Sequence, residues 1–258
     1  MGYLDGRVAI VTAGGGVGMG SAICRAYAKE GAAVVVADIA ADRAAQVAGE
    51  IEAAGGKALA VTTDVSQADQ VAAMVERTVA TFGTVSILVN HAGILGHGPI
   101  EEITPDQFDR SIGVHLKGAF LCCRAAIPHM RQGEWGRIIS TGSRAGYRRM
   151  RASNGLSDYA AVKAGLVGFS RAVALEVGDS GITVNVVAPG VVGSCGMTEE
   201  LATAEVERAM AEAEGQVLPA RPVQPDEIAE TFLYLVGPYS GQVTGMVFHV
   251  NGGSYFPA

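Results

Sequence analysis

Arg7-Val8-Ala9-Ile10-Val11-Thr12-Ala13-Gly14-Gly15-Gly16-Val17-Gly18-Met19-Gly20 decides how the rest of this chain is read. Residues 7–11 are mostly apolar and β-branched, the composition of a buried strand. They run straight into a glycine-rich turn. A helix is predicted just after it, over 21–30, with Ala22, Ile23, Ala26 and Tyr27 at its apolar positions. Glycines in such a turn let the backbone fold back tightly and approach a pyrophosphate with no Cβ in the way. The N–H groups at the helix start then meet the negative charge. A glycine-rich turn alone says little; its place between a first strand and a first helix gives it weight. Gly14, Val17, Gly18, Met19 and Gly20 are therefore expected beside the phosphates of a dinucleotide.

Outward from that turn the same alternation repeats. Strands are predicted at 33–37, 58–62, 85–89, 136–141, 183–187 and 247–250. Helices are predicted at about 41–54, 67–82, 106–130, 156–178, 199–214 and 226–235. Strands that are apolar on both faces and separated by helices imply a parallel sheet covered on both sides. Right-handed crossovers make that sheet doubly wound. The expected fold is α/β: one Rossmann-type domain over residues 1–258, a doubly wound parallel sheet flanked by helices. No second domain, repeat or low-complexity linker is visible. Asp38 closes the second strand about 20 residues after the turn, where an acid binds the adenosine ribose. A carboxylate accepts hydrogen bonds from both ribose hydroxyls and repels a 2′-phosphate, which favours NAD over NADP. The alternative is a cap for the helix that follows.

Nearly half of the 258 residues are apolar and 17% are charged, ample material for a core. Nineteen Lys and Arg against 26 Asp and Glu leave a net charge of −7. Such a chain repels phosphate backbones and anionic lipid, so neither nucleic acid nor membrane is expected as a partner. No apolar run approaches the roughly 20 residues of a membrane span. The N-terminal residues read as the lead-in to a strand, not a signal peptide. Cys24, Cys122, Cys123 and Cys195 fit neither zinc spacing nor a disulfide framework. They read as structural thiols, and the expected compartment is reducing cytoplasm.

Further along, Tyr159-Ala160-Ala161-Val162-Lys163 places a phenol and an ammonium four residues apart, on one face of a helix. A free tyrosine, with a pKa of about 10, is a poor base at neutral pH. A neighbouring ammonium and a positive nicotinamide both favour the phenolate. Tyr159 could then take an alcohol proton as hydride leaves carbon, or return it during reduction. Asn90-His91-Ala92-Gly93 ends a strand, Pro189-Gly190 follows another, and Asn251-Gly252-Gly253 lies near the end. With these motifs in this order, the chain resembles the short-chain dehydrogenase/reductase family over essentially its whole length. The resemblance implies that Tyr159 is the acid/base and that Lys163 also holds the nicotinamide ribose. Ser143 would stabilise the substrate oxygen, with Ser140 the weaker candidate. It further implies that Asp64 and Val65 touch adenine, and that Asn90 and Gly93 pack beside the cofactor. Pro189, Gly190, Val192 and Ser194 would lie at the nicotinamide. Asp64 has a second reading as a cap for the next helix.

The chain departs from the family pattern at His115, which stands where an asparagine helps to hold water in a proton relay. An imidazole titrates near neutrality and can act as donor and acceptor, so His115 is carried as a catalytic candidate, the alternative being a satisfied core histidine. His91 reads as structural, and His97, in the following loop, could face substrate or be solvated. These scattered histidines form no metal-binding pattern, and no metal is expected. The stretch between Ser143 and Tyr159 is longer than is usual in the family. Its Arg144, Arg148, Arg149 and Arg151 could clamp an anionic substrate or simply be solvated. The resemblance implies that the segment 195–214 closes over substrate; its Met197, Leu201 and Met210 could supply an apolar lid or simply pack a helix. The expected partner is a small alcohol or ketone, in a homotetramer with two-fold axes. Two other readings stay open: a 3-oxoacyl thioester reductase and a non-catalytic NAD-binding redox sensor.

Overall fold

A computed structural model of the protein describes residues 2–95, 98–147, 156–193, 217–218 and 221–256. Its strands are β1 (Val8–Thr12), β2 (Ala33–Asp38), β3 (Lys57–Thr62), β4 (Ile87–Asn90), β5 (Gly136–Thr141), β6 (Ile182–Pro189) and β7 (Val247–Val250). They form one parallel sheet in the order β3-β2-β1-β4-β5-β6-β7. The helices between them are α1 (Met19–Lys29), α2 (Ala41–Ala53), α3 (Ala68–Phe82), α4 (Pro105–Ile112), α5 (Gly118–Gln132), α6 (Ser157–Val177) and α7 (Pro225–Val236). The helix expected over 199–214 lies outside the described residues.

Side chains alternate across a strand, and this alternation builds two cores from one sheet. Ala9, Val11, Val34, Val36, Ile87 and Val89 point to one face, where they meet Ile23 and Tyr27 of α1, Val47 and Ile51 of α2, and Phe232 of α7. Ile10, Val35, Ala37 and Leu88 point to the other, against Val71 and Met74 of α3, Cys122 and Ala126 of α5, and Val173 of α6. Each large side chain buried there is worth about 1.5–3 kcal/mol. With both faces covered, β1, β2 and β4 carry no polar residue until their carboxyl ends.

The helix predicted over 106–130 is not continuous. Thr104 and Gln107 form a reciprocal capping box that starts α4, with Pro105 in its first turn. A π-helical turn, Gly113–Lys117, then interrupts the α-geometry before α5 begins. The wider turn carries His115 into the protein, where it is buried. Such single-turn interruptions gather at functional sites.

Strand order reverses between β1 and β4. Ligands of open α/β sheets bind in the crevice at such a switch point, beyond the carboxyl ends of the strands. Asp38, Asn90, Ser143 and Gly190 all stand at carboxyl ends of strands in this sheet.

Candidate active site

The glycine turn is shaped by its backbone. Gly18 adopts φ 113°, a conformation L-residues avoid, and an added Cβ on Gly20 would collide with the carbonyl of Ala13. Asp38 is buried, and both its oxygens are engaged: Oδ2 accepts from Gly15 N–H at 3.0 Å and Oδ1 from Ala40 N–H at 3.0 Å. The capping position of α2 is Ala40, so Asp38 ties the end of β2 to the glycine turn. Asp64 accepts from the Ser66 amide at 2.9 Å and hydroxyl at 2.8 Å, shaping the entry to α3. Val65 is buried beside it.

A residue the sequence reading did not single out joins β1 to β4. Thr12 Oγ1 accepts from the amides of His91 (2.9 Å) and Ala92 (3.0 Å) and donates to the Val89 carbonyl at 3.1 Å. The available signal was a hydroxyl at the end of an apolar strand, which needs a partner once buried. His91 in turn pairs through Nδ1 with Thr141 Oγ1 of β5 at 2.9 Å. Burial, with the nearby Lys163 charge, pushes its pKa down to about 4, so the ring is neutral at pH 7.

Lys163 is buried, and its Nζ donates to the Thr141 carbonyl at 2.7 Å. Burial lowers its pKa to about 7. Nζ lies 5.5 Å from the centre of the Tyr159 ring, so the two side chains expected to act together do share one face of α6. Ser143 leaves β5 in an extended conformation, and its Oγ accepts from Ala145 N–H at 3.1 Å. The short turn that follows is pressed against α6: a Cβ on Gly146 would lie 2.9 Å from the Ala164 nitrogen. This contact brings the Ser143 turn alongside the Lys163 stretch of α6. Ser140 is sealed within β5.

On the far side of β5, Gly190 N–H donates to the Val250 carbonyl at 2.9 Å, directly after Pro189 ends β6. Val192 is buried and pairs with Val223 in an isolated bridge. Asn251 Oδ1 accepts from Gly253 N–H at 2.9 Å, which folds the tail beside that bridge. Ser194, Arg148, Arg149 and Arg151, with His97, Cys195, Met197, Leu201 and Met210, lie outside the described residues. Among the described residues, no cluster of His, Cys, Asp and Glu could hold a metal, and no helix is long and apolar enough to cross a membrane.

A family model described as Enoyl-(Acyl carrier protein) reductase matches residues 14–255. A solved short-chain dehydrogenase/reductase mutant from Serratia marcescens superimposes with a TM-score of 0.88 and 37% identity, covering 98% of this chain and 99% of that one. The chain belongs to the short-chain dehydrogenase/reductase family. Another similar member is a 7α-hydroxysteroid dehydrogenase solved with NADH and 7-oxo glycochenodeoxycholic acid: TM-score 0.89, 32% identity, 97% of this chain and 95% of that one. The BbsD subunit of (2S)-[(R)-hydroxy(phenyl)methyl]succinyl-CoA dehydrogenase from Thauera aromatica is 38% identical over 255 residues, 97% of each chain. This short-chain dehydrogenase/reductase is accordingly an oxidoreductase.

Proposed function

We propose that this oxidoreductase uses NAD to interconvert a secondary alcohol and its ketone. The observation that carries the reading is Tyr159 and Lys163 on one face of α6, with the Ser143 turn packed against that helix. The glycine turn and Asp38 support a dinucleotide at the switch point. A Cβ-free approach at Gly20 and amides at the start of α1 suit a pyrophosphate. The Asp38 carboxylate suits a ribose with free hydroxyls and disfavours a 2′-phosphate. Asn90, Gly93, Pro189, Gly190 and Val192 stand at the neighbouring strand ends, where the nicotinamide half would lie.

A bound nicotinamide would supply the hydride acceptor or donor. Tyr159 Oη takes the hydroxyl proton of the alcohol in oxidation and returns it in reduction. Ser143 Oγ donates to the substrate oxygen as charge builds on it. The Lys163 ammonium favours the phenolate form of Tyr159 and holds the nicotinamide ribose. Its tendency to shed a proton when buried weakens as hydroxyl acceptors and a negative neighbour gather round it.

A second reading has support from several relatives named as 3-oxoacyl-[acyl-carrier-protein] reductases and from the BbsD relative, whose name gives a succinyl-CoA thioester carrying a secondary alcohol. Reduction of a 3-oxoacyl thioester runs the same proton and hydride steps in the other direction. Exposed Tyr234 of α7 and Met246 beside β7 suit a homotetramer interface. The buried free thiols of Cys24, Cys122 and Cys123 suit a reducing cytoplasm. The test is absorbance of reduced nicotinamide with NAD or NADP, using a panel of secondary alcohols and 3-hydroxyacyl thioesters. NAD-linked turnover is expected. NADH binding with silence across the whole panel would favour a redox sensor instead.

A further inference from the structure

His115 sits on the π-helical turn with its ring against three elements, and its polar atoms are not used in the ordinary way. Nε2 faces both polar groups of one residue, 3.1 Å from the Ile94 nitrogen and 2.9 Å from the Ile94 carbonyl oxygen. Nδ1 is buried with no hydrogen-bond partner. Asn90 Oδ1 is also buried and unpartnered, while the other end of that amide lies 3.5 Å from Cys123 Sγ. Both residues line the same small cavity, together with Thr12, Val65 and Cys122. Its free space of about 10 Å³ is of the order that one water needs. Two buried, unpartnered polar atoms on residues that line one water-sized space are a cost that a bridging water would remove.

The ring is also fixed in place. A Cβ on Gly93 would press into its Cε1, and the Tyr159 ring meets it edge to face with centroids 5.4 Å apart. The charged and titratable groups facing it are Lys163, Tyr159 and Asp158, all of α6. Burial first, and Lys163 second, push its pKa down to about 3, against smaller upward pulls from the Ile94 backbone and Asp158. A ring so placed does not pass through the imidazolium at neutral pH.

We propose that His115 is a positioning residue, gripping the Ile94 peptide through Nε2 and braced by one buried water between its Nδ1 and Asn90 Oδ1. The bonding closes in either tautomer. With Nε2–H donating to the Ile94 carbonyl, the water donates to both Nδ1 and Asn90 Oδ1. With Nε2 accepting from Ile94 N–H, Nδ1–H donates to the water, which donates to Asn90 Oδ1. The shorter contact, to the carbonyl, favours the first. The resulting strap holds the Gly93–Ile94 segment against the π turn and keeps the ring edge on Tyr159.

The proposal rests on the Tyr159 reading for its activity arm only, so two arms need no turnover. The first is imidazole ¹⁵N NMR of the full chain from about pH 5 to 8, the range in which ordinary histidines titrate. His115 is assigned by the signals missing in His115→Asn. A neutral ring of one tautomer throughout is expected; a titration midpoint inside that range overturns the proposal. The second is a high-resolution crystal structure, expected to show one water within hydrogen-bond distance of Nδ1 and Asn90 Oδ1. A dry cavity overturns the bridge. In the activity arm, His115→Asn should lower kcat less than about tenfold with an unchanged pH profile. A loss of about a hundredfold or more, with an inflection near neutrality removed, would mark a proton carrier and overturn the positioning role.

Discussion

Asp38 and Thr12 each do two jobs with one small side chain. The Asp38 carboxylate holds the glycine turn through Gly15, and it is the group proposed to discriminate riboses. Asp38→Asn keeps the size but removes the charge, so NAD binding should weaken by about tenfold and preference over NADP should narrow by at least as much. Dissociation constants for both cofactors check this; an unchanged ratio would remove Asp38 from the ribose. Thr12→Val keeps the shape of a latch whose hydroxyl serves two amides, so Ala92 N–H loses this partner and His91 N–H keeps only its 3.1 Å bond to the Val89 carbonyl. A loss of about 1–3 kcal/mol in urea denaturation is expected. Titration adds a third consequence. His91 has its pKa pushed from the ordinary 6.5 to about 4 in the folded chain, so the unfolded chain binds the proton first as pH falls. Stability should therefore drop from pH 6.5 towards 4, and level off below in this contribution. The same sign holds for Lys163: without cofactor, stability should rise from pH 7 towards 10.5, and Lys163→Met should flatten that rise.

The elements were legible in the sequence because their patterns are strong. Short apolar, β-branched runs in the strands and the helix-period spacing of Ala22, Ile23, Ala26 and Tyr27 in α1 leave few alternatives, and the reading of 247–250 as a strand matches β7 to the residue. The π-helical turn was not legible. One extra residue in a helical turn does not disturb a long apolar pattern, and only packing shows where Gly113–Lys117 widens. The same reason hid the Thr12 latch, since partners on a neighbouring strand remote in sequence are a tertiary fact. Of the site, Tyr159 and Lys163 could be paired from spacing, because a helix fixes which residues share a face. The packing of the Ser143 turn on α6 could not, since it depends on a loop folding back. On α7, Phe232 is fully buried, and its carbonyl accepts from Tyr27 of α1 at 3.3 Å. Phe232→Ala should cost about 3–5 kcal/mol by leaving a cavity between the two helices and the sheet; thermal or urea unfolding measures it.

At the scale of the whole molecule, the fold gathers strand ends from β1, β2, β4, β5 and β6 around one crevice, and chemistry is assigned to α6 above it. Binding at that crevice stabilises the entire domain, because the unfolded chain has no such site. NAD at about one hundred times its dissociation constant should add about 2.7 kcal/mol to the folding free energy, visible as a rise in Tm. The central claim is that Tyr159 moves the proton in a hydride-transfer reaction, and Tyr159→Phe tests it most directly. Kinetics with the best alcohol from the panel should show kcat/KM reduced by about a hundredfold to ten-thousandfold, with the NADH dissociation constant held within a few-fold. Wild-type turnover in the Tyr159→Phe protein, with NADH still bound, would contradict the assignment and move the acid/base role to another group.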